Sequence, residues 1–240
     1  MTRKIHDTDY LFLTTRVRAL EGCLLNRGQM EQMLEAGSPE EAARILTDCG
    51  YPELETVSAI TVGEMLNRER ERLFQDLAEL VPDPAILAVF QLPHDYHNVK
   101  VLLKSEAMGI QEDRLLVDAG RIPSKQLVAA LRSGEVQNLP PQLGEAIDEA
   151  RQVLSATRDP QLGDMVLDRR YFQELLVLAE ETGSLFLQGY VQRMIDEANL
   201  RTAVRVLRMG QGTEFLEGIL FPGGNMEVER LLTGINGGSM

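Results

Sequence analysis

The sequence holds no tryptophan, and five tyrosines and seven phenylalanines bring aromatics to only 5% of 240 residues. That argues against a stacking platform for single-stranded nucleic acid, which needs aromatic faces in series. Positive charge is also scarce. The 24 Lys+Arg stand against 37 Asp+Glu, a formal net charge of −13. Broad electrostatic binding to DNA, RNA or anionic lipid is disfavoured, and only local basic stripes remain open. Cysteine is limited to Cys23 and Cys49, in no metal-type spacing, as expected of two thiols in a reducing compartment. No apolar run approaches the ~18–20 residues of a membrane span. Met1–Asp7 carries no apolar signal core. A soluble, cytoplasmic chain with no direct membrane span and no nucleic-acid partner is expected; contact with a membrane complex through a protein partner stays open.

Catalytic signatures are missing too. There is no G-x-x-x-x-G-K-[ST] loop and no G-x-S-x-G turn, and Gly210-Gln211-Gly212 lacks the third glycine of a dinucleotide fingerprint. Histidine is confined to His6, His94 and His97. His94 and His97 flank Asp95 at i,i+3, but His94 falls ahead of the helix expected there, and no zinc-type cluster completes a ligand set. No catalytic residue, metal site or cofactor is assigned.

What is present is helical periodicity from end to end, with no alternating strand, so the expected fold class is all-α. The 44% hydrophobic content supplies a core. Helices are expected over Tyr10–Leu25, around Met30–Leu34, and over Glu40–Asp48 with Ser38 as N-cap and Pro39 at the first position. Thr61–Leu80 carries a Glu64–Arg68 pair at i,i+4. Ala85–Phe90 should be a short helix ended by Pro93, and Tyr96–Met108 a separate one with Asp95 as N-cap and Gly109 as C-cap. Leu127–Arg132, Gly144–Thr157, Asp168–Glu181, Ser184–Met209 and Met226–Leu232 follow. The stretch Gly234–Met240 should fray.

The most informative feature is an internal repeat. Phe74-Gln75-Asp76-Leu77 returns as Phe172-Gln173-Glu174-Leu175, 98 residues later. Asp95-Tyr96-His97-Asn98-Val99-Lys100 returns as Asp196-Glu197-Ala198-Asn199-Leu200-Arg201, 101 residues later. Leu103-Lys104 answers Val204-Arg205, and Gly120 with Leu127 answers Gly224 with Leu231. A fainter third copy lies near the N-terminus, where Arg16 precedes Lys100 by 84 residues and Leu11 replaces the aspartate. The expected organisation is two and a half helical-bundle units of about 100 residues: residues 1–57 a half-unit, 58–157 a full unit, and 158–240 a second unit with a flexible tail. A half-unit at one end implies that its other half lies in a missing C-terminal segment. The chain is therefore expected to be a fragment or a shortened form, with apolar surface exposed where that segment would pack.

On a helix, Asp95, Asn98 and Leu102 share one face, as do Asp196, Asn199 and Ala203. Lys100 and Lys104 form a separate basic edge, repeated by Arg201, Arg205 and Arg208. One reading is structural, with the aspartate capping its helix and the basic edge solvated. The other is a set of equivalent polar groups facing a shared axis or partner.

The blocks Tyr10–Glu21, Asp95–Lys104 and Asp196–Arg201 resemble the C-type component of V-type/A-type ATPases, the AC39 family that includes its eukaryotic d-type counterpart, over almost the whole chain. Thr14 stands where many relatives have Asn. The resemblance implies a funnel of three similar helical bundles about a pseudo-threefold axis. It implies a non-catalytic socket between the D and F shaft subunits and the membrane rotor ring of c/K-type proteolipid subunits, attached peripherally to the membrane. Torque would pass through it in ATP-coupled proton or sodium transport. Arg16, Lys100 and Arg201 would then be equivalent, as would Asn98 and Asn199. With Asp95, Lys104, Asp196 and Arg205 they are the candidate partner-binding or inter-unit residues. The alternative is a free-standing helical-repeat adaptor that binds a partner helix or peptide.

Overall fold

A computed structural model describes residues 6–110, 112–210 and 212–236. Among these, every regular element is helical. The α-helices are α1 (Leu11–Glu21), α2 (Arg27–Glu35), α3 (Pro39–Asp48), α4 (Ala59–Leu80), α5 (Pro84–Met108), α6 (Ser124–Ser133), α7 (Pro141–Thr157), α8 (Pro160–Glu181), α9 (Leu185–Arg208), α10 (Thr213–Glu217) and α11 (Val228–Asn236). None of the described helices is long and apolar enough to cross a membrane.

Most helix ends follow the local sequence. Ser38 Oγ accepts the Glu41 N–H at 3.2 Å, with Pro39 at the first position. Asp159 Oδ1 accepts the Gln161 N–H at 2.9 Å ahead of Pro160. Gly134 closes α6 with φ of 77°, the left-handed region that glycine enters without strain. The Arg68–Glu64 pair forms at 3.4 Å.

Three expectations are corrected. Pro93 does not end a helix. α5 runs unbroken through it, so Asp95 and His94 lie in mid-helix and Asp95 caps nothing. The reason is packing. Val89, Leu92, Tyr96 and Val99 make one continuous buried stripe across the proline, and that burial outweighs the ~3 kcal/mol that an interior proline costs. α8 begins at Pro160 rather than Asp168, because the break after α7 is only the left-handed Arg158 and the capping Asp159. At the C-terminus, Gly234–Asn236 belong to α11, whose Leu231 and Leu232 are buried. Residues 237–240, the rest of the expected frayed end, lie outside the described residues, as do residues 1–5.

The chain divides into two compact units, a division that follows contact, whereas boundaries at 57 and 157 follow the repeat. One unit runs to Leu87 and takes in Val117–Ala119; the other holds Ala88–Leu116 and the chain from Gly120 on. In the first, α2 packs on α3 and α1 on α4, Leu46 and Met65 are buried, and Arg16 reaches Asp76 of α4 at 3.4 Å. Cys49 Sγ accepts a bond from Gln29 at 3.1 Å. The second unit carries the principal core, in which α7 packs on α8 and α8 on α9. Leu127, Leu143, Ile147, Leu175 and Ile195 are fully enclosed there. A smaller cluster of Ala203, Val206, Leu216, Leu220, Leu231 and Leu232 joins the C-terminal half of α9 to α10 and α11.

Candidate functional site

The repeated Asp-x-x-Asn block gives the second unit two matching clasps between a helix and the loop that follows it. In the first, α5 holds Asp95 and Asn98 on its inner face, both 0% exposed. Asp95 Oδ1 accepts the Ile122 N–H at 3.2 Å, and Oδ2 accepts Arg121 Nε–H at 2.7 Å. Gly120 lies so close that a Cβ there would sit 2.2 Å from Asp95 Oδ1. Only glycine admits that approach. In the second clasp, Asp196 Oδ1 accepts the Met226 N–H at 3.0 Å, and Oδ2 accepts the Asn225 N–H at 3.1 Å. A Cβ on Gly224 would meet Asp196 Oδ1 at 2.1 Å. Asn199 completes this one, accepting the Phe221 N–H and donating to the Phe221 carbonyl, both at 2.8 Å.

The clasps differ in what surrounds the aspartate. Asp196 is half-buried and also takes the Asn225 side-chain amide at 3.2 Å. Asp95 is enclosed in a charged cluster. Arg121 Nη2 lies 2.8 Å from Glu174 Oε1, an ionic contact at an angle outside hydrogen-bond geometry. Tyr96 donates its hydroxyl proton to Glu174 Oε2 at 2.9 Å. Two carboxylates thus share one guanidinium inside the core. Burial pushes the Asp95 carboxyl up from its ordinary value, and the Arg121 hydrogen bond and charge only partly oppose it. Burial would lower the Arg121 guanidinium, but its hydrogen bond to Asp95 and the negative charges of Glu174 and Asp95 raise it. Burial and the neighbouring Glu174 carboxylate push the Tyr96 phenol well up.

The basic edges meet different neighbours. On α5, Lys100 Nζ reaches Asp168 at 2.5 Å and Lys104 Nζ reaches Asp164 at 2.6 Å, both on α8. On α9, Arg201 pairs with Glu197 of its own helix. Among the described residues no acid reaches Arg205 or Arg208. Those arginines line a shallow trough with Leu200, Val204 and Met209. His97 bonds the Leu115 carbonyl through Nε2 at 3.0 Å, and no group of three or more potential metal ligands comes together among the described residues.

Sequence reasoning picked out Asp95, Asn98, Asp196 and Asn199 but missed Arg121, Glu174 and Tyr96. A signal existed for Glu174. It falls at i, i+4, i+7 and i+11 with Leu167, Tyr171 and Leu178, an acid inside an apolar stripe, and such an acid needs a buried partner. For Arg121 the signal was its place directly after Gly120, in the loop already matched to Gly224.

These features define an all-α scaffold in which a repeated polar block holds the protein's own loops and a basic, partly apolar helix face remains open. The sequence pattern of the family described as ATP synthase (C/AC39) subunit matches residues 13–240, and the chain belongs to that family. It is 26% identical over 230 residues to the C-type component of the V-type sodium ATPase of Enterococcus hirae, covering 95% of this chain and 70% of that protein. To the corresponding C-type component of the V-type ATP synthase of Thermus thermophilus it is 27% identical over 219 residues, 88% of this chain and 68% of the other. The C-type component of the A-type ATP synthase of Methanocaldococcus jannaschii is 23% identical over 225 residues, with 86% and 56% covered.

Proposed function

We propose that the chain is a non-catalytic central-rotor subunit of a V/A-type rotary ATPase, a socket that links the D–F shaft to the membrane rotor ring and passes torque between them. The observation that carries this reading is the family match over residues 13–240. The described fold is compatible with it. It is helical, its polar repeat block stabilises loops, and no described helix is long and apolar enough to cross a membrane. In this reading the subunit binds no cofactor, and its attachment to the membrane runs through the proteolipid ring. The basic residues at equivalent repeat positions, Arg16, Lys100 and Arg201 with Lys104 and Arg205, contribute to shaft contact or to locking units together.

The test is co-elution of this chain with a purified D–F pair on a sizing column at low and moderate salt. A stoichiometric complex is expected. Free chain at both salt concentrations overturns the reading. If Lys100→Glu with Arg201→Glu leaves the complex intact, the shaft-contact assignment of those two residues falls.

A further inference from the structure

We propose that a cavity in the first unit is a thiol–disulfide exchange site for a small anionic disulfide, with Cys23 as the attacking thiol and Cys49 as the thiol that resolves the product. The inference does not depend on the rotor reading. The chain has two cysteines, and the fold brings both to the wall of one cavity of about 390 Å³, bounded by the end of α1, the end of α3 and α4. Both thiols are free.

Their settings differ. Cys23 lies in the turn after α1 and is exposed, with only a long contact of 3.8 Å from Sγ to the Ala19 carbonyl. Cys49 caps α3 and is half-buried, and its Sγ accepts the Gln29 side-chain amide at 3.1 Å. The accessible sulfur is the one that a disulfide in solution meets first. Each cysteine adjoins a glycine, Gly22 before Cys23 and Gly50 after Cys49, and neither sits inside a helix. The two segments can therefore draw their Cα atoms within the ~7 Å that a disulfide requires without breaking a helix.

The charge on the cavity wall selects the reagent. On a chain of net charge −13, that wall carries three arginines against two acids. Arg16 pairs with Asp76 at 3.4 Å and Arg72 with Glu69 at 2.7 Å. Arg70 is exposed and makes no ion pair among the described residues. A carboxylate-bearing disulfide therefore finds a cation beside the thiols, and Leu20, Leu66 and Leu73 offer its carbon skeleton an apolar bed. In the first step Cys23 Sγ attacks one sulfur of the reagent. The reagent's S–S bond breaks, a mixed disulfide forms, and the leaving half takes the proton that Cys23 gives up. In the second step Cys49 Sγ attacks the Cys23 sulfur, and the other half leaves with the Cys49 proton as a thiol. The chain is oxidised to a Cys23–Cys49 bond, and the reagent is reduced to two thiols.

The probe is glutathione disulfide, added to the full reduced chain at low protein concentration, with products read by intact and peptide mass spectrometry after an acid quench. The internal Cys23–Cys49 disulfide is the expected product. Cys49→Ser should stop at the mixed disulfide on Cys23. Cys23→Ser should react about tenfold more slowly, because only the half-buried thiol is left. Arg70→Glu should slow glutathione disulfide about threefold and speed up cystamine, a cationic disulfide. Circular dichroism checks that each variant folds. A mixed disulfide that persists in the wild type as it does in Cys49→Ser overturns the proposal, as does a disulfide between two chains. Rates for the two reagents that Arg70→Glu leaves unchanged also overturn it.

Discussion

Helices α5 and α9 carry the same plan and meet different surroundings. Each has an aspartate and an asparagine facing inward, a glycine loop clasped by the aspartate, and a basic edge one turn further on. On α5 Arg121 and Glu174 close over the aspartate, and the basic edge is paired with Asp168 and Asp164 of α8 at partly exposed sites. On α9 the clasp is half-buried and the edge is open. Local sequence therefore determines the clasp, which both copies make, while the neighbouring element determines how much each part contributes to stability.

The largest difference should appear at the clasp aspartates. Asp95→Ala strands the Ile122 N–H and leaves Arg121 with Glu174 as its remaining charged partner inside the core, and breaking a buried pair costs about 3–5 kcal/mol. Asp196→Ala removes bonds to two backbone N–H groups at a site water can reach, about 1–3 kcal/mol. Urea unfolding followed by circular dichroism measures both. Equal losses would erase the distinction between the two clasps.

Acidity sharpens the same comparison. The Asp95 carboxyl is raised above its ordinary 3.8 by burial. A raised acid binds its proton more tightly folded than unfolded, so its contribution is full below the ordinary value and is lost as pH rises through the folded one. The stability advantage of the wild type over Asp95→Asn should therefore shrink as pH rises above the ordinary carboxylate value. A widening advantage would show that the Arg121 pair, not burial, sets the titration of Asp95.

Core packing comes next. Leu103→Ala opens a cavity in the principal core and should cost about 2–5 kcal/mol. Its counterpart Val204→Ala, on the open face, should stay within about 0.5 kcal/mol. At the loops the two copies should converge. A Cβ on Gly120 or Gly224 meets a clasp carboxylate at 2.2 or 2.1 Å, and each Gly→Ala should cost about 1–3 kcal/mol by forcing the loop away. Parity here beside disparity at the aspartates would establish that the close approach belongs to the motif and the charge cluster belongs to α5 alone.

These pairs also mark what was legible in the sequence. The repeat and the Asp-x-x-Asn faces were readable because both use fixed spacing along one helix. Ser38 announced its helix start because capping is local. The continuity of α5 through Pro93 was not readable, since a proline's local cost is overridden only by packing from elements distant in sequence. The role of the aspartates was misjudged for the same reason. Asp95 resembles a cap beside Tyr96, but the N–H it accepts belongs to Ile122, 27 residues away. Arg121 and Glu174 lie 53 residues apart in the chain, and their pairing depends on where α8 lands.

The smallest expected effect is at the basic edges. Lys100 and Lys104 pair with Asp168 and Asp164 at partly exposed sites, so Lys100→Ala with Lys104→Ala should cost no more than about 1 kcal/mol per pair after screening. That loss should shrink further in about 0.5 M salt, where the screening length falls below the usual ~10 Å. Arg205→Ala with Arg208→Ala breaks no pair among the described residues and should leave unfolding of the isolated chain unchanged within about 0.5 kcal/mol. A measurable loss at the arginines would mean that the α9 edge already has a partner within the chain, and the contrast between the two helices would disappear.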